Sequence, residues 1–336
     1  MNVVNINNKK WVLTSYELNN AFVLTSNYKL EKYIKNRFGE SWFNLLEKIK
    51  DYKPMTFKNI KLTHSLGSGK NATVYLYKGY AIKKVKHKKY PDLDLITGKT
   101  EADIITYLNE KIVLQGYTPN IIWLFQYDNT SVNTDYLVLE KMEMTLWKYL
   151  QKTRSEKLVK GILFQVLFTL CILQYTLPGF RHNDIKTDNI LLDFSNKQDL
   201  QFKYKDTCWK ILAKIPLVKI VDFDYAFIPR KISNKKILGE HPKTFGCTKN
   251  PSKIYDAHLF LNSLYNLRHN YPESISKWIK NNFSHLGNES DHLKYGRLIY
   301  PEKWEKVYPS PYKLLQGSFF NDFKTQFDKL KPFWGL

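Results

Sequence analysis

The spacing of apolar and polar residues changes part-way along the chain. Over residues 60–90 apolar and polar positions alternate, β-branched residues are frequent and glycines interrupt the pattern, which predicts a hairpin and a third strand. The apolar positions then take helical spacing, and a helix is predicted over about 100–116. Strands are predicted over 121–127 and 136–140. The pattern therefore predicts a small, strand-rich unit.

Helical spacing dominates from there onward. One buried helical stripe is predicted from Leu158, Val159, Ile162, Leu163, Val166, Leu167 and Leu170. Residues 1–59 carry helical patches at 30–34 and 42–49, so we expect an N-terminal helical extension. The expected fold class is α+β, with this extension, a small strand-rich lobe over 60–142 and a larger helical lobe over 143–336. A ligand cleft is expected between the lobes.

The charge of the chain is strongly positive. It has 52 Lys and Arg residues against 31 Asp and Glu, a formal net charge of +21. Such a charge attracts polyanions such as nucleic acid or anionic lipid. The lysines are spread along the chain, however, and an A+T-rich coding sequence would produce the same composition, so both explanations stay open. No apolar run approaches the roughly 20 residues that span a bilayer, so no membrane span is expected.

Cysteine usage favours a reducing compartment. Cys171, Cys208 and Cys247 are far apart and form no C-x-x-C spacing. This pattern argues against a disulfide framework and against a zinc site. We therefore expect a cytoplasmic protein.

The strongest chemical signal is a polar loop that follows the predicted helical stripe. Within residues 181–192, Asp184, Lys186 and Asn189 lie close together just before an apolar strand. Phosphoryl transfer needs these parts: a carboxylate that accepts a hydroxyl proton, a cation for the phosphate and an oxygen ligand for magnesium. The loop resembles the catalytic loop of protein kinases. This resemblance implies that Asp184 is the catalytic base, with Lys186 beside it and Asn189 as a metal ligand.

Two segments of the predicted small lobe agree with that resemblance. Residues 66–74 resemble a glycine-rich loop over nucleotide phosphates, and residues 80–85 resemble the strand whose lysine, here Lys83, contacts those phosphates. Two acidic residues of the following helix are candidate partners of Lys83. Glu110 is favoured because it lies mid-helix, whereas Glu101 lies in the first turn, where an acidic residue favours the helix dipole. The resemblance further implies that nucleotide contacts come from Leu66, Gly67, Ser68, Gly69, Val74 and Ala81.

Three later segments extend the resemblance. Asp222-Phe223-Asp224 resembles the D-F-G segment, which makes Asp222 the principal magnesium ligand. Asp224 replaces the glycine, and either restricts movement of the segment or adds a carboxylate near the metal. Residues 136–142 resemble the hinge strand, in which the backbone of Glu140 and Met142 would bond adenine. Asp256 resembles the buried aspartate that braces the catalytic loop, although an N-terminal helix cap would look the same.

Together these motifs resemble the protein kinase superfamily, and most of all the virion-type serine/threonine kinases of large cytoplasmic DNA viruses. The resemblance implies a two-lobed kinase-like fold, ATP and Mg²⁺ as cofactors, and transfer of the γ-phosphoryl group to Ser and Thr hydroxyls of protein substrates. It also implies packaging in a virion. The chain departs from the pattern at Asn183, which replaces an arginine, in lacking Ala-Pro-Glu before Asp256, and in an insertion over about 195–217.

Two other functions stay open. One is a kinase-like scaffold of low activity that binds polyanions or virion components. The presence of Lys83, Asp184, Lys186, Asn189 and Asp222 argues against it. The other is a small-molecule kinase, and Lys186 argues against that, because such enzymes usually lack a lysine at this position of the loop.

Overall fold

The structure is a computed structural model. It describes residues 2–6, 9–13, 45, 48–58, 60–69, 72–90, 93–237, 246–247, 249–326 and 333–335. At the N-terminus, strand β1 (Asn2–Ile6) pairs antiparallel with β2 (Lys9–Leu13), and residues 48–51 are helical. The expected helical extension therefore contains a hairpin that the apolar pattern did not reveal. The helical patch predicted at 30–34 lies outside the described residues.

The small lobe is built on a five-stranded antiparallel sheet in the order β3-β4-β5-β9-β8. The strands, with the short β6–β7 hairpin between them, are β3 (Ser65–Ser68), β4 (Ala72–Tyr77), β5 (Tyr80–Lys86), β6 (Lys88–Tyr90), β7 (Leu93–Ile96), β8 (Leu124–Ser131) and β9 (Thr134–Leu139). Lys78 and Gly79 connect β4 to β5 with φ of 49° and 83°. Two consecutive positive φ angles suit the right-handed twist of a tight hairpin. The predicted hairpin and third strand are thus present.

One helix crosses this sheet. Helix α1 (Lys99–Leu108) continues into a π turn, Asn109–Val113, so the helical segment predicted over 100–116 is present with a change of winding. The side chain of Asn109 holds that turn, because it donates to Ile122 O at 2.9 Å and accepts from Leu124 N at 3.0 Å. The N-terminus of α1 is fixed to β9, since Gly98 N donates to Asp135 Oδ2 at 2.7 Å.

The end of the N-terminal extension covers the other face of the sheet. Phe57 is 2% exposed and stacks on Tyr136 of β9 with a centroid separation of 4.7 Å. Gln126 of β8 accepts from Met55 N at 2.8 Å and donates to Met55 O at 2.6 Å. This segment is therefore part of the core of the small lobe.

The large lobe is organised around a long central helix. Its helices are α2 (Leu146–Leu150), α3 (Glu156–Thr176), α4 (Tyr255–Tyr265), α5 (Glu273–Asn282) and α6 (Pro311–Gln316). The predicted stripe lies on α3, whose N-cap Ser155 accepts from Leu158 N. In length and composition α3 could cross a membrane, but 78% of its apolar window is buried inside the protein. Its apolar residues therefore fill the core of the lobe.

The described strands of the large lobe form three small sheets. In chain order they are β10 (Met144–Thr145), β11 (Ile190–Asp193), β12 (Leu200–Tyr204), β13 (Thr207–Ile211), β14 (Leu217–Ile220), β15 (Leu293–Lys294), β16 (Arg297–Leu298), β17 (Lys324–Thr325) and β18 (Phe333–Gly335). The sheet β10-β11-β14 flanks the polar loop, and β15 pairs with β16.

The insertion predicted over 195–217 is an integral part of this lobe. Its strands β12 and β13 form the centre of the sheet β17-β13-β12-β18. Phe202 and Trp209 are both fully buried and lie 5.4 Å and 5.5 Å from the ring of Phe164 on α3. The insertion therefore supplies aromatic side chains that cover α3.

Candidate active site

The backbone of the predicted catalytic loop is held by Asp256. This residue is 1% exposed in the first turn of α4, and its carboxylate accepts from His182 N at 2.9 Å and from Asn183 N at 3.0 Å. It caps no amide of its own helix. Asn183 has φ of 65°, a conformation that asparagine tolerates better than most residues. Asp256 thus braces the loop, and the alternative of a simple helix cap is wrong.

Asp184, the predicted base, is held from several sides. Its Oδ2 forms an ion pair with Lys186 Nζ at 3.1 Å and accepts a hydrogen bond from Asn189 Nδ2 at 3.0 Å. Asn189 Nδ2 also donates to the backbone oxygen of Asp184 at 2.8 Å. Asp184 Oδ1 accepts a hydrogen bond from Arg297 Nη2. The structure therefore brings the three predicted loop residues together and adds Arg297, which the sequence did not indicate.

Lys83 forms two short ion pairs, and one of them corrects the sequence prediction. Its Nζ lies 2.7 Å from Glu101 Oε1 and 2.7 Å from Asp222 Oδ1. The expectation that Glu110 would be the partner is wrong. Glu101 shares a buried face with Ile105 and Leu108. Glu110 lies nine residues after Glu101, and over nine residues an α-helix ends about 180° away from its starting face. Glu110 therefore lies on the side of the helical segment opposite to Glu101. Within the described residues its side chain forms no ion pair.

The charges of this cluster depend on each other. Burial by itself would lower the pKa of Lys83, but the carboxylates of Asp222 and Glu101 outweigh burial and raise that pKa above its usual value. Burial likewise opposes ionisation of Asp222, but Lys83 outweighs it and lowers the pKa of that carboxyl. Burial raises the pKa of Glu101 to about 7, because Lys83 offsets only part of this effect and the charge of Asp222 adds to it. Two carboxylates thus share one ammonium group.

His182 connects the catalytic loop to the Asp222 segment. Burial lowers the pKa of its imidazole, so the ring is neutral near pH 7. Asp184 N donates to Nδ1 at 3.4 Å, which leaves the proton on Nε2, 3.1 Å from Val221 O. The ring also packs against Phe223 at a centroid distance of 4.8 Å. His182 therefore holds the catalytic loop, through Asp184 N, against the segment that carries Val221 and Phe223.

Asp224 forms an ion pair within the protein, and its charge also acts on Lys83 and Glu101. It lies in a 3₁₀ turn, Phe223–Tyr225, and it is Asp222 that adopts the left-handed conformation, with φ of 63°. The carboxylate of Asp224 forms an ion pair with Lys236. An aspartate in the glycine position therefore causes no backbone strain, and its charge is balanced within the protein.

Asn189 and Asp222 fit the requirements of a magnesium ion. Val221 N donates to Asn189 O at 3.0 Å, which holds the two residues on neighbouring segments. Asn189 uses its amide nitrogen on Asp184, so Oδ1 is available as a ligand, and the Asp222 side chain is 38% exposed. Within the part of the chain that the structure describes, no group of three or more His, Cys, Asp or Glu residues could hold a metal. Mg²⁺ commonly binds through one or two carboxylates together with substrate phosphates.

The residues predicted to contact nucleotide lie on or next to β3, β4 and β5, the part of the sheet that carries Lys83. Gly69 N donates to Ala72 O at 2.8 Å across the β3–β4 hairpin, and Leu66 is 39% exposed. A Cβ atom at Gly67 would meet no protein atom within 4 Å, so the fold itself does not require glycine there. Close approach of a ligand to the backbone would require it.

Comparison with known proteins identifies this arrangement. The sequence profile of the protein kinase domain matches residues 60–248. The chain belongs to the protein kinase family. It is 31% identical over 170 residues to R400 of Acanthamoeba polyphaga mimivirus, and 31% identical over 112 residues to R301 of the same virus; both are named as serine/threonine-protein kinases. These matches cover 46% and 32% of this chain, but only 35% and 26% of the relatives' own lengths.

The strand that resembles a kinase hinge contains a buried ion pair that the sequence did not predict. Glu140 N donates to Trp123 O at 3.1 Å, so only its carbonyl oxygen could reach adenine. The Glu140 side chain forms an ion pair with Lys219 Nζ at 2.7 Å and accepts a hydrogen bond from Trp123 N at 2.7 Å. Lys219 is the lone charged residue in the apolar strand Leu217–Ile220, and that contrast was the available signal.

A second missed residue anchors the chain after the kinase D-F-x segment. Arg181 is 1% exposed, and its guanidinium donates to Asn250 O from Nε at 3.1 Å and from Nη2 at 2.9 Å. Residues 238–245 and 248 lie outside the described part of the chain. Arg181 therefore fixes the chain at Asn250, after the D-F-x segment. In this chain the Ala-Pro-Glu motif, which follows that segment in the kinase pattern, is absent.

Proposed function

We propose that this kinase uses ATP and Mg²⁺ to phosphorylate serine and threonine hydroxyls of protein substrates. The observation that carries the proposal is the joint placement of the Asp184–Lys186–Asn189 loop and the Lys83–Asp222 ion pair, which are linked through Val221 and His182. Family membership supports phosphoryl transfer, and the names of the two viral relatives support the hydroxyl specificity.

Each residue has a distinct role in the proposed reaction. Lys83 binds the phosphates of ATP and is oriented by Glu101. Asn189 and Asp222 would hold Mg²⁺, which neutralises charge on the phosphate oxygens. Lys186, with a side chain that is 43% exposed, neutralises the transferred group. Asp184 orients the substrate hydroxyl and accepts its proton.

The test is a transfer assay with labelled ATP, Mg²⁺ and either an acidic or a basic generic protein substrate, followed by identification of the phosphorylated amino acid. Phosphoserine and phosphothreonine are expected. Asp184→Asn should bind nucleotide like the wild type but lower the rate by about 10²–10⁴-fold, the usual cost of losing a general base. Asp188→Asn, the same substitution at an exposed position of the same loop, is the matched control and should leave the rate unchanged.

Two outcomes would contradict the proposal. If Asp184→Asn kept more than about a tenth of the wild-type rate, the base would lie elsewhere, because a positioned base contributes more than tenfold. If only phosphotyrosine formed, or if label entered small molecules and no protein, the proposed substrate class would be wrong.

A further inference from the structure

Arg297 reaches the predicted base from a distant part of the large lobe. It is the first residue of β16, lies 113 positions after Asp184 and has a side chain that is only 13% exposed. Its Nε donates to the backbone oxygen of Asn183 at 3.2 Å, and its Nη2 donates to Asp184 Oδ1. One planar guanidinium therefore holds both the peptide before the base and the carboxylate itself.

The surrounding structure fixes Arg297 in this position. The β15–β16 hairpin is bound to α4, because Asn262 Nδ2 donates to Gly296 O at 2.9 Å. Gly246 packs against the aliphatic part of the arginine: a Cβ atom there would lie 3.3 Å from Arg297 Cβ. The carbonyl of Gly246 is in turn held by Tyr255 Oη at 2.8 Å. The guanidinium is thus placed by the fold, which an exposed and flexible arginine would not be.

The two carboxylate oxygens of Asp184 have different surroundings. Oδ2 pairs with Lys186 and accepts a hydrogen bond from Asn189, whereas Oδ1 accepts a hydrogen bond only from Arg297 among the described residues. A carboxylate oxygen can accept two hydrogen bonds. Oδ1 therefore keeps one lone pair for a substrate hydroxyl, and the bond from Arg297 fixes the direction of that lone pair.

We propose that Arg297 is a positioning residue for phosphoryl transfer, which fixes the Asp184 carboxylate so that Oδ1 faces the substrate hydroxyl. This inference rests on the proposed function, since it assumes that Asp184 orients that hydroxyl. Asn183 occupies the place where the kinase pattern has an arginine, and Arg297 brings a guanidinium to the same peptide from another part of the chain. Because catalysis of phosphoryl transfer depends strongly on positioning, the orientation of the Asp184 carboxylate should affect the rate.

The experiment compares steady-state kinetics of Arg297→Met, Arg297→Lys and Arg268→Met with those of the wild type, on a protein that the wild type phosphorylates. Arg268 is an exposed arginine of the same lobe that stacks on Tyr265, and its replacement is the matched control. Arg297→Met should lower kcat by about 10- to 100-fold, as misplacement of a catalytic group by about 1 Å does. The KM for ATP should stay within about twofold, because Arg297 contacts no predicted nucleotide residue. Arg297→Lys should give an intermediate kcat, since a single ammonium replaces the two-pronged donor.

The KM for ATP and the thermal unfolding midpoint separate this role from a folding defect. A variant that unfolds early and binds ATP poorly would show that Arg297 is only structural, and would overturn the inference. So would a kcat of Arg297→Met within twofold of the wild type. A kcat above the wild type would overturn it too, and would make Arg297 an inhibitory contact. A wild-type protein that transfers no phosphate to any protein would instead refute the proposed function itself.

Discussion

Replacing Glu101 by glutamine should reduce activity far more than the same change at Glu110. Both residues lie on one helical segment, so the two variants are matched in chemistry and in location. Glu101 is 2% exposed and pairs with Lys83 at 2.7 Å, whereas Glu110 is half-buried. Glutamine fills the same volume and can still accept a hydrogen bond, so the change removes mainly the charge.

The size of the effect follows from that ion pair. A buried hydrogen bond to a charged group contributes about 1.5–3 kcal/mol. Since about 1.4 kcal/mol corresponds to a factor of ten, loss of the Glu101 charge should lower kcat/KM by about 10- to 150-fold. Glu110→Gln should change kcat/KM by less than about twofold, because the Glu110 side chain forms no ion pair with the described residues and substitutions away from such contacts usually change free energies by less than about 0.5 kcal/mol.

The assay is initial-rate phosphorylation at several ATP concentrations, with thermal unfolding as a check on folding. The pH dependence provides a second readout, because kcat/KM reports groups of the free enzyme. Burial raises the pKa of Glu101 to about 7, so protonation as the pH falls through 7 should weaken the pair with Lys83 and lower kcat/KM. Glu101→Gln should lack that step. If Glu110→Gln were the more damaging variant, or if both retained full activity, the assignment of Glu101 would be refuted.

Two further predictions concern stability. Burial lowers the pKa of His258 to about 4, against 6.5 for an unperturbed imidazole, so the folded state holds the neutral ring. Above pH 6.5 the ring is neutral in both the folded and the unfolded state. As the pH falls from 6.5 towards 4, the unfolded state binds a proton that the folded state does not, and the free energy of unfolding falls by about 1.4 kcal/mol per pH unit. Urea unfolding between pH 6.5 and 4.5 should therefore show a shallower loss for His258→Gln than for the exposed control His269→Gln, and equal slopes would contradict this origin. Gly161 lies on α3 where a Cβ atom would come within 2.6 Å of Ile215 Cδ1. Gly161→Ala should thus destabilise the wild type by about 1 kcal/mol through overpacking, but stabilise an Ile215→Ala variant by up to about 1 kcal/mol through helix propensity. If Gly161→Ala changed the free energy of urea unfolding in the same direction in both backgrounds, contact with Ile215 would not be what limits the size of the side chain at position 161.

Local sequence was sufficient for the parts of the site that lie within one loop or one strand. Asp184, Lys186 and Asn189 span six positions, so the loop between α3 and β11 brings them together wherever the rest of the chain lies. The alternating pattern likewise located the strands of the small lobe, because side chains alternate between the faces of a sheet. The family and the two-lobed fold class follow from such local patterns and are confirmed.

Tertiary structure decided which distant groups meet. Whether Glu101 or Glu110 faces Lys83 depends on the rotation of α1 against the sheet. Position along the helix favoured Glu110, but the buried face of the helix carries Glu101, which pairs with Lys83. The contacts of Asp256 with His182, of Lys219 with Glu140 and of Arg297 with Asp184 join residues from 74 to 113 positions apart. A local pattern can mark a residue such as Lys219, but it does not show which distant group that residue contacts, because the contact is fixed only when the helices and sheets that carry both residues pack into one core.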